Sequence, residues 1–236
     1  MNIFFLNGID AWKDFQKGVY EHIIENRFTN IAEIGGGANP LLALDFAAEQ
    51  KLNYHIIDIS EEELSKANAG YIKVISDLES KNLEIGFQYE FIFSQLTVEH
   101  IKDIETFYAN IYKLLKAGGL AYFFFACRTT LPAISNYLLP EFISKKILVF
   151  IQPFRKDEKH GKFKAHYKWC FGPTKKNIKR FETVDLEIVS YIAYFGHSYY
   201  QRIPLLNFLE KFKTKILLKY PNPLFCSYSH VLLRKK

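Results

Sequence analysis

Ile31-Ala32-Glu33-Ile34-Gly35-Gly36-Gly37-Ala38-Asn39-Pro40 is a short apolar run that ends in three consecutive glycines and leads into a helix-start signal. Ile31 to Ile34 has the length and composition of a buried strand. Glycines after such a strand let the backbone turn sharply and come close to a ligand. Asn39 can cap and Pro40 fits the first helical position, so the spacing predicts a helix over Pro40 to Gln50. A bare strand-to-helix turn would use the same glycines, so the residues around the loop have to decide between a structural turn and a binding loop.

Working outward, short apolar runs alternate with helical stretches: Tyr54 to Ile59, then Glu61 to Ala67, then Ile72 to Ile75, Phe91 to Ser94, a helix from Asp103 to Lys116, and the very apolar run Leu120 to Ala126. Repeated strand and helix units of this kind imply a parallel sheet covered on both faces. Upstream, Trp12, Phe15, Val19, Ile23 and Ile24 share one face of a covering helix over Ile9 to Phe28. Downstream, Leu186 to Phe195 and Phe225 to Leu233 read as two more strands with a mostly helical stretch between them, which makes seven. Between Arg128 and Lys176 the alternation stops and the chain turns rich in aromatics and lysines. We expect one α/β domain over 1–236, divided into a covering helix (1–29), a core (30–127), a cap inserted after the fifth strand (128–180) and a segment completing the sheet (181–236).

The chain's 236 residues suffice for one core, and 49% apolar with 24% charged residues is the balance of a soluble globular protein. Ile3 to Leu6 is too short for a membrane span and lacks the basic lead of a signal peptide, so a cytoplasmic location is the expectation. Cys127, Cys170 and Cys226 are far apart without zinc or disulfide spacing and read as reduced thiols. Residues 1–127 hold 10 Lys and Arg against 18 Asp and Glu, while the remainder holds 21 against 7, so the net charge of +6 conceals halves of −8 and +14. The second half is suited to an anionic partner, although a lysine-decorated solvated surface would give the same count.

Pro40 stands where a dinucleotide fingerprint requires its third glycine, which disfavours NAD and FAD. Glu33, two residues before the first glycine, meets a different need: the ammonium of a bound S-adenosylmethionine (SAM) is held by a carboxylate near such a loop. In His55-Ile56-Ile57-Asp58-Ile59-Ser60, Asp58 ends the next strand and can accept from both ribose hydroxyls, while Ser60 and Glu63 form a capping box that fixes the following helix. Asp77 with Leu78 follows the third apolar run, where a carboxylate can accept from the adenine amino group and the apolar neighbour can pack on the ring.

With these residues in place, the chain resembles a class I SAM-dependent methyltransferase of the small-molecule branch. Tyr89-Glu90-Phe91-Ile92-Phe93-Ser94-Gln95-Leu96-Thr97-Val98-Glu99-His100-Ile101 is similar to the fourth strand and following loop of that superfamily, and Lys113-Leu114-Leu115-Lys116-Ala117-Gly118-Gly119-Leu120 to its next helix, turn and strand entry. The resemblance covers residues 30–126. Asn39 replaces a third loop glycine found in many members, and asparagine tolerates the left-handed backbone such a position needs. The resemblance implies a Rossmann-like, mostly parallel seven-stranded sheet with an antiparallel last strand. It implies SAM as cofactor, bound by Glu33, Gly35, Gly36, Gly37, Asn39, Asp58, Ile59, Asp77, Leu78, Ser94 and Gln95, with Gly35 and Gly37 at the methionine end, Asp58 at the ribose, Asp77 and Leu78 at the adenine, and Ser94 with Gln95 beneath.

The acceptor is read from the remaining residues. Ser94-Gln95-Leu96-Thr97 lacks the Asn/Asp-Pro-Pro-aromatic signature of nucleic-acid and protein amide N-methyltransferases, and it lacks the carboxylates that would hold magnesium, so no metal is expected. His100, His166 and His197 are candidate bases because imidazole titrates near neutral pH; each also has a structural alternative. In the cap, Arg155, Lys156, Lys159, Lys162, Lys164 and Lys168 alternate with Phe163, Tyr167, Trp169 and Phe171. That pattern fits a lid over an aromatic pocket, a surface lying on anionic lipid, or a nucleic-acid track. We expect the lid, a small-molecule acceptor of glycan, lipid-linked or natural-product type, and peripheral contact with an anionic membrane as a further partner; nucleic acid is disfavoured because no RNA-binding module is visible. An RNA methyltransferase and a non-catalytic SAM-binding protein are the alternatives.

Overall fold

A computed structural model describes residues 1–138, 146 and 164–236. Its centre is one sheet formed by β1 (Asn2–Asn7), β2 (Asn30–Ile34), β3 (Asn53–Asp58), β4 (Ile72–Ile75), β5 (Tyr89–Gln95), β6 (Leu115–Ala126), β7 (Leu186–Phe195) and β8 (Tyr228–Lys235). The order across the sheet is β1-β7-β8-β6-β5-β2-β3-β4. Only β8 runs antiparallel, between β6 and β7. Helices α1 (Ala11–Asn26), α2 (Leu44–Glu49) and α3 (Glu61–Lys66) cover one face, and α4 (Ile104–Leu114), α5 (Leu131–Leu138), α6 (Lys175–Glu182) and α7 (Pro204–Lys219) the other.

Side-chain alternation explains why β6 reads as a continuous apolar run. Leu120, Tyr122 and Phe124 enter the core beneath α1, while Ala121, Phe123 and Phe125 enter the core beneath α4. A strand with helices on both faces has no solvent face on which to place polar residues.

Two expectations are corrected. The sheet has eight strands rather than seven, because Asn2–Asn7, read as part of a covering segment, pairs in parallel with β7 from Asn2↔Ser190 to Asn7↔Phe195. Phe5 stacks on Phe195 with ring centroids 5.5 Å apart. The second helix starts at Leu44 and not at Pro40. The chain first makes a tight turn closed by Asn39 N–H donating to Gly36 O (2.9 Å), and the Leu41 N–H is captured by Glu33 Oε2 (2.9 Å).

The cap of 128–180 falls partly outside the described residues, as do Lys145, Arg155, Lys156, Lys159, Lys162 and Phe163. Its described part is anchored. Trp169 stacks on Tyr108 at 5.5 Å and meets Phe181 edge-on, and Tyr167, Trp169 and Cys170 are buried. Lys164 and Lys168 are exposed between them. The aromatics expected to line an acceptor pocket at Tyr167 and Trp169 therefore lie in the core. The left-handed backbone of both residues (φ +50° and +57°) turns the chain so that successive aromatics point inward.

Candidate functional site

The site is built at the carboxyl ends of β2, β3, β4 and β5. Gly35 and Gly37 adopt positive φ (+75° and +41°), a region that costs a side-chain-bearing residue about 1–2 kcal/mol. Gly35 donates its N–H to Ile57 O (2.8 Å), and a methyl group at Gly35 would collide with the Thr97 side chain. A Cβ at Gly36 would stand 2.9 Å from the Glu33 carboxyl carbon, and one at Gly37 3.1 Å from Asp58 Oδ2. The three glycines thus let the loop pass between Thr97, Glu33 and Asp58 at backbone distance.

Glu33 is buried behind the loop, where its Oε2 accepts from the Tyr54 hydroxyl and from Leu41 N–H. Burial pushes its pKa up to about 7, against these two bonds, which pull it down. Asp58 is half-buried at the end of β3, and desolvation raises its pKa while the amides of Ser60, Ile59 and Gly37 oppose the rise. Ser60 N–H donates to Asp58 Oδ1 (2.9 Å) and Glu63 N–H to Ser60 Oγ (3.2 Å). The helix cap is therefore shared between Ser60 and Asp58, while the Glu63 carboxylate reaches Lys66 (2.5 Å). Next to Asp58, the apolar side chain of Ile59 is 63% exposed, a surface suited to a flat ring.

Asp77 follows β4, with Oδ1 accepting from Glu79 N–H (2.8 Å), so Asp58 and Asp77 stand at the ends of neighbouring strands. Leu78 is buried in the core, and its carbonyl accepts from Asn110 Nδ2 (3.0 Å). Ser94 is buried and ties β5 to β2 through Oγ to Ile34 O (2.9 Å). Gln95 Oε1 is buried and has no hydrogen-bond partner among the described residues. It is an acceptor in want of a donor. Leu96, the next residue, has a left-handed backbone (φ +51°) held by its N–H donating to Phe124 O (2.8 Å). Strain in a non-glycine residue beside a glycine loop is characteristic of places where geometry serves a ligand.

The three histidines are not brought together. His100 ends the 3₁₀ turn Val98–His100 after β5, and its Nδ1 lies 3.2 Å from the Lys164 carbonyl. A carbonyl only accepts, so Nδ1 carries the proton and Nε2 is the basic nitrogen of the neutral ring. His166 joins the same corner through its N–H to Glu99 O (2.7 Å). Burial, then Lys164, lowers its pKa, so it is neutral at pH 7. His197 follows β7, four strands from β2 and thus about 19 Å away across the sheet. It is buried over Glu210, Nε2 to Oε1 3.7 Å, in a cleft of about 400 Å³ that Asn7, Gln201, Asn207 and Thr214 also line.

The residue that sequence reading passed over is Glu99. It is buried between the end of β6 and the 164–171 segment, its carbonyl accepting from His166 and Tyr167 N–H (2.7 and 2.9 Å). Burial pushes its carboxyl pKa up to about 8, against bonds from its own N–H and that of Ala126, and Oε2 makes no hydrogen bond among the described residues. The carboxyl is neutral at pH 7. The only signal in the sequence was its place in the Val98-Glu99-His100 turn, which reads as an ordinary polar helix start.

The donor set fits SAM. Asp58 presents an acceptor for ribose hydroxyls, Asp77 one for an exocyclic amine, Ile59 an apolar plane, and Gln95 Oε1 an unused acceptor next to the loop. Among the described residues no group of three or more His, Cys, Asp or Glu side chains converges as a metal site.

Residues 32–121 match a family described as a methyltransferase domain. By sequence, no curated protein matches the chain. Among solved structures, an S-adenosylmethionine-dependent methyltransferase from Clostridium acetobutylicum superposes with a TM-score of 0.54 at 15% identity, over 96% of this chain and 91% of that one. The N-methyltransferase NodS from Bradyrhizobium japonicum, in complex with S-adenosyl-L-homocysteine, gives 0.53 at 12% identity over 97% and 88%. Coclaurine N-methyltransferase, bound to N-methylheliamine and the same product, gives 0.58 at 12% identity over 95% and 72%. At these identities the likeness is one of fold: the chain has the fold of these SAM-dependent methyltransferases, and the stretch that matches the methyltransferase-domain family holds the glycine loop and the strands around it.

Proposed function

We propose that this protein transfers a methyl group from SAM to a small-molecule acceptor, of glycan, lipid-linked or natural-product type. The observation that carries the reading is the loop itself: two left-handed glycines, with Asp58 beside Gly37 and Asp77 at the neighbouring strand end. When bound, SAM supplies an electrophilic methyl on a sulfonium, which passes to a lone pair of the acceptor and leaves S-adenosylhomocysteine. Asp58 holds the ribose, with Ile59 beneath the base and Asp77 at its amino group. Glu33 and Gln95 Oε1 face the methionine ammonium, Glu33 acting from behind the loop. Ser94 and Leu96 keep β5 in register beneath the cofactor. His100 and His166, at the Glu99 corner, are the groups that accept a proton where the acceptor must lose one. In-line transfer depends chiefly on positioning, which suits a site with rigid strand ends on one side and the anchored 164–171 segment on the other.

Calorimetric titration with S-adenosylhomocysteine and with NAD tests the reading. Saturable binding of the former and far weaker binding of the latter is expected. NAD binding tighter than S-adenosylhomocysteine would overturn it.

A further inference from the structure

Helix α7 is built inside out. Its face toward the sheet carries Glu210, Thr214 and Leu217, all buried, while Leu205, Phe208, Leu209, Phe212 and Ile216 are turned outward. Those five recur at i, i+3, i+4, i+7 and i+11, one continuous stripe of a helix about 24 Å long. Exposure is 68% for Leu205, 65% for Phe208 and 57% for Phe212, and the stripe continues past the helix end into Tyr220, Leu224 and Phe225. An amphipathic helix of a soluble domain normally turns such a stripe inward, and contiguous exposed apolar surface of this extent marks an interaction site.

The charges beside the stripe identify the occupant. Lys211, Lys215 and Lys219 flank it, and Arg202 precedes the helix. Glu210 is the only acidic residue from Gln201 to Lys236, and it is buried and paired with Lys213 (2.7 Å). The outward face of α7 therefore presents large apolar side chains rimmed by positive charge with no carboxylate among them. That combination matches an anionic lipid surface, into which apolar side chains sink to acyl depth while lysine stems reach back to headgroup phosphates. No helix among the described residues is long and apolar enough to cross a membrane, so the contact is peripheral.

We propose that α7 docks this protein on an anionic bilayer through Leu205, Phe208, Leu209, Phe212 and Ile216, with Lys211, Lys215 and Lys219 on the headgroups. The topology adds a consequence. β7 ends and the antiparallel β8 begins at the same edge of the sheet as the glycine loop, so the α7 excursion leaves and re-enters at that edge.

The test is flotation of the full chain with vesicles of phosphatidylglycerol and phosphatidylcholine, compared with pure phosphatidylcholine, at low and high salt. The variants are Phe208→Ser/Phe212→Ser and Lys211→Gln/Lys215→Gln/Lys219→Gln. These side chains are outward, so far-UV circular dichroism and S-adenosylhomocysteine affinity should match the parent, which separates this inference from the methyl-transfer reading. Binding to the anionic vesicles is expected, weakened about tenfold or more by either variant, with high salt reproducing the lysine variant. No binding by the parent, or equal binding by parent and Phe208→Ser/Phe212→Ser, would overturn the proposal. So would a dimer in light scattering that the serine substitutions dissociate, since the stripe would then be covered by a second copy.

Discussion

Replacing Glu99 by Gln should make the protein more stable at neutral pH, by an amount that depends on pH in a predictable way. The Glu99 carboxyl has a folded-state pKa raised from 4.5 to about 8 by burial. Between those values the unfolded chain has lost the proton and the native chain keeps it, so native stability falls as pH rises through the window. Each unit corresponds to about 1.4 kcal/mol, so from pH 5 to pH 7 the parent loses about 2 to 3 kcal/mol on account of this group alone. Glutamine does not titrate, and its carbonyl oxygen can keep the bonds from Ala126 N–H and the residue's own N–H. The two proteins should be closest in stability near pH 5, diverge to about 2 to 3 kcal/mol at pH 7, and stay apart by a constant amount above pH 8. Urea unfolding at pH 5, 6, 7 and 8 measures the difference, because contributions from Glu33 and other groups are common to both proteins and cancel. Tryptophan fluorescence is a suitable signal, since Trp169 packs against Tyr108 on the segment that Glu99 holds. Parallel pH profiles, with a gap that does not change between pH 5 and pH 7, would refute the account of Glu99 as a buried neutral carboxyl.

Two further outcomes follow from the cofactor side. Asp58→Ala should weaken S-adenosylhomocysteine binding by about 1.5 to 3 kcal/mol, the range for charge-assisted hydrogen bonds, while the fold survives; unchanged affinity in a folded variant would remove Asp58 from the ribose. Glu33, with its pKa raised to about 7 by burial, should release a proton when a ligand ammonium binds near it. S-adenosylhomocysteine affinity should accordingly rise with pH up to about 7 and then level off, and calorimetry at pH 6 in two buffers of different ionisation enthalpy would show the released proton. Equal heats in the two buffers would mean that Glu33 does not sense the ligand's charge.

The parts of the fold that were legible are those whose signal is local. Ile31–Ile34 with its glycines, Asp58 closing the next strand and the two-sided apolar run Leu120–Ala126 each carry their reading within about ten residues. Asn2–Asn7 was missed because its partner is β7, more than 180 residues away, and nothing in Asn-Ile-Phe-Phe-Leu-Asn shows that the far edge of the sheet is open to it. The start of α2 was misplaced because Asn39 and Pro40 form a good local cap in sequence, whereas the Asn39 N–H closes a turn back onto Gly36 O and the helix begins only at Leu44. Glycine was legible as a loop in the same way, but that Gly35 answers to Thr97, 62 positions on, was not. For the site, residue type at strand ends located Asp58 and Asp77, whereas burial separated residues that look alike in sequence. Glu99 reads as a polar turn residue and is enclosed; Tyr167 and Trp169 read as the aromatic lining of a lysine-interleaved lid and are core.

The order of strands gives the charge asymmetry a spatial meaning that the linear count lacks. β2 to β6, drawn from the acidic half of the chain, occupy one side of the sheet, and β7 and β8, drawn from the basic half, occupy the other, joined by the uncharged β1. The carboxylates of the glycine-loop site and the lysines of α7 therefore stand near opposite sides of the sheet. An anionic surface would attract the second side and repel the first, which orients the protein before any apolar side chain makes contact. The apolar stripe on α7 lies on the side that electrostatics selects. Charge and hydrophobicity, read from different residues, thus point to the same face, and screening by salt should slow arrival at that face more than it speeds departure once Phe208 and Phe212 are buried.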